Sequence, residues 1–289
     1  MTNQQLSILA AYAHPDDEQG VSGLLARYTR QGVVTTLVCA TRGEVGEIAP
    51  GVDATPDTLG QVRENEMRCA AAKIGLQNLY LLDYRDSGMV GTPENDDKRN
   101  LHQANVIEVA GDLVRVIRKH RPQVIVTFDP YGGYGHPDHI KIHQASLIAF
   151  FVAGDARAYP EQLTNGLEPW TPLKLYYNAF TKNRFDAYER WMEENKLEVQ
   201  DWMRDFLKRA LPDELVSARI DVSEFIELKW ESLQCHASQL NPKSPFAKIP
   251  INIRKEATRF ETFMCAESRL GRVPGIEDDL FAGIKDKAT

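Results

Sequence analysis

From residue 6 to residue 128 the chain alternates short, almost uninterrupted apolar runs with amphipathic stretches of helical period. Residues 6–12, 33–39, 78–82 and 124–128 are the apolar runs, and the Val and Thr content of the second suits a strand covered on both faces. Between them, residues 20–30, 59–74 and 104–120 carry the helical pattern. Gly75 closes the second helix, and the Arg121-Pro122 step closes the third, because a residue before proline avoids the helical region. This alternation predicts an α/β fold: a Rossmann-like, mostly parallel sheet with helices on both faces. The second half is less regular. Strands are expected at 173–180 and 217–222, a charged helical cover with Trp191 and Trp202 at 184–210, and a helix at 223–238 broken by NPKSP. No linker-like tract divides the chain, so residues 1–289 read as a single domain. Its catalytic core is expected in 1–155, and a smaller C-terminal subregion, 156–289, completes the pocket.

Each of the first four predicted strands runs into polar residues: HPDDE, TRGEVGE, DYRDSG and DPYGGYGHPDH. Ligands of open parallel sheets bind beyond the carboxyl ends of the strands, so these four segments are expected to converge on one crevice.

Composition narrows the partners. Thirty-four basic against 41 acidic side chains leave a net charge of −7 with no basic run, so no surface for nucleic acid or an anionic membrane is evident. No apolar stretch approaches the roughly 20 residues that span a bilayer, and the N-terminus lacks the pattern of a signal peptide. A cytoplasmic enzyme acting on a small molecule fits, with self-association left open. The four cysteines, Cys39, Cys69, Cys235 and Cys265, form no CxxC pair and read as structural thiols of a reducing compartment.

The chemistry concentrates in two segments. His14, Asp16 and Asp17 lie in AHPDDE, and His136, Asp138, His139 and His143 lie in GHPDHIKIH. Two imidazoles and one carboxylate with an open fourth position make a hydrolytic zinc site, and His14, Asp17 and His139 suit it. Carboxylates also load helix N-termini, and HPDH also caps helices. Either explanation covers one segment and neither covers both.

AHPDDE, RGEVGE at 42–47, RDSGM at 85–89 and FDPYGGYGHPDH at 128–139 together resemble the LmbE-like or PIG-L family of zinc-dependent N-acetylglucosamine deacetylases, most closely the mycothiol-pathway branch acting on glucosaminyl-inositol compounds. The resemblance implies removal of an N-acetyl group from an amino-sugar conjugate by water activated at the metal. It implies His14, Asp17 and His139 as zinc ligands and Asp16 as general base, with Fe2+ the other ion the set would accept. His136, if protonated, would stabilise the tetrahedral oxyanion, with Asp138 orienting it and holding its pKa above the ordinary imidazole value near 6.5. Tyr134 would add a hydrogen bond. Glu47, Arg63 and Asp86 are implied as sugar contacts. His143 is expected at the helix surface or behind the ligands, His102 and His120 as ordinary structural histidines, and His236 in the pocket wall.

An amidase cleaving a larger acyl group, such as a mycothiol S-conjugate, would share every catalytic residue. A nucleotide-binding Rossmann protein is disfavoured, because the carboxylates of HPDDE stand where a phosphate-binding glycine turn would be. A non-catalytic glycan-binding module is disfavoured by the complete ligand set beside Asp16.

Overall fold

The structure is a computed structural model that describes residues 5–198, 204, 208–271 and 273–284. Its seven strands are β1 (Ser7–Tyr12), β2 (Val34–Cys39), β3 (Asn78–Leu81), β4 (Val124–Thr127), β5 (Lys174–Asn178), β6 (Ala218–Asp221) and β7 (Phe260–Ser268). They form one sheet in the order β3-β2-β1-β4-β5-β7-β6. Strands β1 to β5 are parallel, and β7 runs antiparallel between β5 and β6. Residues beyond 156 therefore extend the same sheet that the first half begins. All of β1 and β4 is buried, as their almost wholly apolar sequence requires.

The helices are α1 (Ser22–Arg30), α2 (Leu59–Ile74), α3 (Val106–His120), a single turn α4 (Gly132–Gly135), α5 (Pro137–Val152), α6 (Asn183–Glu194), α7 (Ile226–Cys235) and α8 (Ile251–Thr258). α1, α2 and α7 pack together, while α3 packs on α5. The chain moves outward from β1 through β2 to β3, then crosses to the other side for β4. Right-handed crossovers place the two helix groups on opposite faces, and the strand order reverses at β1. The crevice at the ends of β1 and β4 is the expected ligand position.

Elements of the first half fall within about two residues of their predicted bounds. Three differences follow in the second half. The helix expected at 223–238 stops at Cys235, where His236 leaves helical geometry at φ −83°, ψ 51°. Strand β7 has one β-branched residue and no clean alternation, so its pairing with β5 and β6 defines it, not its own propensity. The expected cover at 184–210 begins as α6, which packs with α8 in a separate apolar cluster that includes Trp191. Trp202 lies outside the described residues. Among the described residues no helix is long and apolar enough to cross a membrane.

The cysteine reading is corrected. Cys69 on α2 and Cys235 at the end of α7 form a disulfide, while Cys39 and Cys265 are free. The partners are 166 residues apart, and only the packing of α2 on α7 brings them together. A persistent disulfide is also at odds with a strongly reducing compartment. Closing so long a loop restricts the unfolded chain, and such bonds typically contribute about 2–4 kcal/mol. Reduction is expected to lower Tm by roughly 5–15 °C at about 2–4 °C per kcal/mol, read by thermal denaturation with and without reductant. An unchanged Tm with verified reduction would remove the bond from the stability of the fold.

Candidate active site

β1 delivers the chain into a tight turn, 13–17, stabilised by the Asp17 carboxylate. Its Oδ2 accepts from the backbone N–H groups of His14 (2.7 Å) and Ala13 (3.2 Å). Asp16 sits at φ +103°, a conformation costly for a residue with a Cβ and seldom kept unless the surroundings enforce it. Across the switch point, β4 leads through residues 128–135 to α5. Pro137 opens that helix, and the His136 ring caps it by accepting the N–H of Asp138 through Nδ1 (3.2 Å). Gly132 permits the approach: a Cβ there would lie 2.7 Å from that of His139.

His14, Asp17 and His139 converge. His14 Nδ1 lies 3.2 Å from His139 Nε2 and 3.5 Å from Asp17 Oδ2, and His139 Nε2 lies 3.3 Å from Asp17 Oδ1. Donors held about 2.0–2.1 Å from one tetrahedral ion stand roughly 3.3 Å apart, close to the spacing of the two imidazole nitrogens and of His139 from Asp17 Oδ1, while His14 faces the other oxygen of that carboxylate. The outward-facing ring nitrogens are engaged. His139 Nδ1 is 3.0 Å from the Gly132 carbonyl, and His14 Nε2 is 3.1 Å from Asp138 and 3.4 Å from Asp86. Such partners fix the tautomer that turns a lone pair toward a metal. Phe128 stacks on His139 with centroids 4.0 Å apart.

The donors of His14, Asp86, His136 and Asp138 also lie within 4.8 Å of one another, as do those of His14, His136 and His139. In those groups His136 Nδ1 and the Asp138 carboxylate already have partners. His136 Nδ1 is occupied by the Asp138 N–H, and the Asp138 carboxylate already accepts from the backbone N–H of Ser87 (2.9 Å) and its hydroxyl.

In the metal-free chain the surroundings of His14 favour its charged form. Burial opposes its protonation, but Asp86, Asp138 and Asp17 raise its pKa well above the ordinary value. Burial likewise opposes ionisation of Asp17, yet His139 and His14 hold it well below the usual carboxylate range. An ion entering this site displaces a proton from His14.

Asp16 stands beside the triad with its side chain 34% exposed, and Arg63 Nη2 lies 3.3 Å from its Oδ2. Burial raises its pKa to about 6 against the opposing pull of Arg63, with Asp17 adding to the rise. That is a suitable value for a base working near neutrality. Tyr134 is half-buried, its ring 4.9 Å from that of His139, and burial and Asp17 hold its hydroxyl protonated.

Three expectations change. The Asp138 carboxylate serves His14 and Ser87, and it is the Asp138 backbone N–H that meets His136 Nδ1. His136 is shifted the opposite way from the expected rise: burial first, then His14 and His139, push it down to about 3. With Nδ1 accepting, the neutral ring carries its proton on Nε2. Arg63 and Asp86 are buried and bonded to the protein's own backbone, not exposed as Glu47 is. Arg63 is buried, donating to the carbonyls of Gly43 (2.9 Å) and Pro15 (2.5 Å) and to Asp16. Gly43 has no room for a side chain, as a Cβ would meet the Arg63 guanidinium at 2.2 Å. Asp86 is buried and ties together the backbone N–H groups of Val45 and Gly88, its own N–H held by Glu44.

Glu47 alone of the three expected sugar contacts is exposed, its loop fixed by Gln239 donating to its carbonyl at 3.0 Å. His143 is buried behind the site, bonded through Nδ1 to the Phe128 carbonyl (2.9 Å). His120 meets the Tyr80 hydroxyl at 2.7 Å, and His102 is exposed with its backbone N–H on Ser87. His236 is wholly buried against Glu18 at 2.8 Å. Ser87 and Glu18 were not anticipated as parts of the site. Their positions inside the quoted motifs were the available signal.

Comparison with known proteins agrees. Residues 9–150 match the family model PIG-L, described as GlcNAc-PI de-N-acetylase. The chain is 36% identical to a 1D-myo-inositol 2-acetamido-2-deoxy-alpha-D-glucopyranoside deacetylase of Geodermatophilus obscurus, over 96% of this chain and 97% of that protein. It is 35% identical to a mycothiol S-conjugate amidase of Streptomyces coelicolor, over 98% and 99%. The fold is similar to that of N,N'-diacetylchitobiose deacetylase from Pyrococcus horikoshii (TM-score 0.63, 20% identity, covering 90% of this chain and 83% of that one).

Proposed function

The chain belongs to the PIG-L family, and from that premise we propose that it is a metal-dependent hydrolase removing the N-acetyl group from an N-acetylglucosaminyl conjugate of the GlcNAc-inositol kind. The observation that carries this reading is the convergence of His14 Nδ1 and His139 Nε2, 3.2 Å apart, on the two oxygens of the Asp17 carboxylate at 3.5 and 3.3 Å, beside an Asp16 raised to about 6. His14, Asp17 and His139 would hold zinc, with Fe(II) the other ion this donor set would accept. The chemistry such an ion supplies when bound is Lewis acidity toward water and the amide carbonyl.

Asp16 accepts the proton of the attacking water and returns it to the departing amine. Arg63 anchors its Oδ2, which leaves Oδ1 for the proton. His136 donates Nε2–H to the carbonyl oxygen as negative charge develops, acting as a neutral donor, and the Tyr134 hydroxyl supplies a second bond there. Asp138 and Asp86 fix His14, and Glu47 at the mouth meets the sugar hydroxyls.

The amidase reading is kept alive by the Streptomyces coelicolor relative, which matches almost as well. Amine release from the acetylated glucosaminyl-inositol and from a mycothiol S-conjugate, measured side by side on metal-loaded protein, separates the two. A kcat/KM at least about tenfold higher for the acetyl substrate is expected. The opposite ratio would assign the amidase activity.

A further inference from the structure

Behind the proposed base lies a second buried pair. His236 and Glu18 are 0% and 1% exposed, and His236 Nε2 lies 2.8 Å from Glu18 Oε1. The other oxygen, Glu18 Oε2, accepts the backbone N–H of Asp16 at 2.9 Å. Asp16 is the residue at φ +103°. A non-glycine residue stays in that region only when its surroundings over-determine it, and a charged acceptor on its own N–H is a strong way to do so.

The placement of each partner has a local cause. α7 ends at Cys235, and its departure from helical geometry at His236 turns the imidazole inward. The Cys69–Cys235 disulfide pins that turn to α2, which also carries Arg63. Gln19 Nε2 donates to Glu18 Oε1 at 2.7 Å, so the carboxylate is held from two sides. Asp16 is thus held at its backbone by Glu18, two residues on and braced by His236 from the end of α7, and at its carboxylate by Arg63 on α2.

We infer that Glu18 and His236 are positioning residues for the catalytic carboxylate: the His236-braced Glu18 holds Asp16 N–H, and through it the left-handed turn that aims Asp16 at the reacting water. This rests on Asp16 being the base. Neither residue touches the substrate, and both act only through Asp16. Removing the pair lowers kcat while leaving KM and metal occupancy nearly unchanged.

The test is a double-mutant cycle on the metal-loaded full chain with the acetylated glucosaminyl-inositol, reading kcat, KM and bound metal. Glu18→Ala is expected to lower kcat by about 10–100-fold with KM within about threefold and metal retained. In an Asp16→Asn background the same change should cost less than about threefold, because the base it positions is already gone. Glu18→Gln keeps an acceptor for the Asp16 N–H and should recover at least about tenfold of the loss. His236→Gln should lose less than His236→Phe, which removes the donor, and both His236 variants remain informative if Glu18→Ala does not fold. Equal losses from Glu18→Ala in both backgrounds, or a rise in KM or loss of metal matching the loss of kcat, would overturn the inference. Near-normal turnover of Asp16→Asn itself would instead remove Asp16 as the base.

Discussion

His139→Ala is expected to purify with less than about a tenth of the wild-type metal and to release no measurable amine. Three side chains form the site, and the remaining two donors, His14 and Asp17, would be left beside a void where His139 Nε2 stood 3.2 and 3.3 Å from them. A three-donor hydrolytic site has no spare ligand. Asp138→Ala should do less, lowering metal affinity by about 10–100-fold, because it only fixes the His14 ring. Metal analysis of the purified variants reads both. Full occupancy in His139→Ala would show the ligand set to be wrong.

Asp16→Asn is expected to keep its metal and lose about 10²–10⁴-fold in kcat, the range of general acid–base catalysis. Asparagine preserves shape and the contact to Arg63 but cannot take a proton. The wild-type pH profile reports the same group. Asp16 must be ionised to act, so activity is present above its pKa and is lost as pH falls through it. That pKa is about 6 without an ion, and a neighbouring dication lowers it further, so the acid limb lies at or below about pH 6. His136 is pushed down to about 3 by burial first and then by His14 and His139, the opposite of the rise an imidazolium role would need. The assay is single-substrate kinetics from pH 5 to 9 in both proteins. Near-normal kcat in metal-loaded Asp16→Asn would exclude it as the base.

The chemistry was legible where it is local. AHPDDE and GHPDH each follow an apolar strand, and parallel-sheet topology alone places both at the switch point beside β1 and β4. His14, Asp16, Asp17, His136 and His139 come together as their positions implied. What sequence did not reveal is the direction in which side chains turn once packed. Asp138 is two residues from His136, yet its carboxylate faces His14, because α5 points it toward Ser87 on the loop after β3. Arg63 lies on the buried face of α2, where its guanidinium serves three acceptors of the protein itself. The His136 charge was misjudged because burial and two neighbouring histidines outweigh the adjacent carboxylate. Cys69 with Cys235 and Glu18 with His236 are pairs separated by 166 and 218 residues, visible only once α7 lies against α2.

The most direct measurement is acetate release from the acetylated glucosaminyl-inositol by one preparation carried through chelation and refilling. Turnover is expected to vanish in the metal-free chain and to return in proportion to added zinc or Fe(II), saturating at one ion per chain with one acetate per amine. Undiminished acetate release from chain verified to be metal-free would contradict a metal site built from His14, Asp17 and His139.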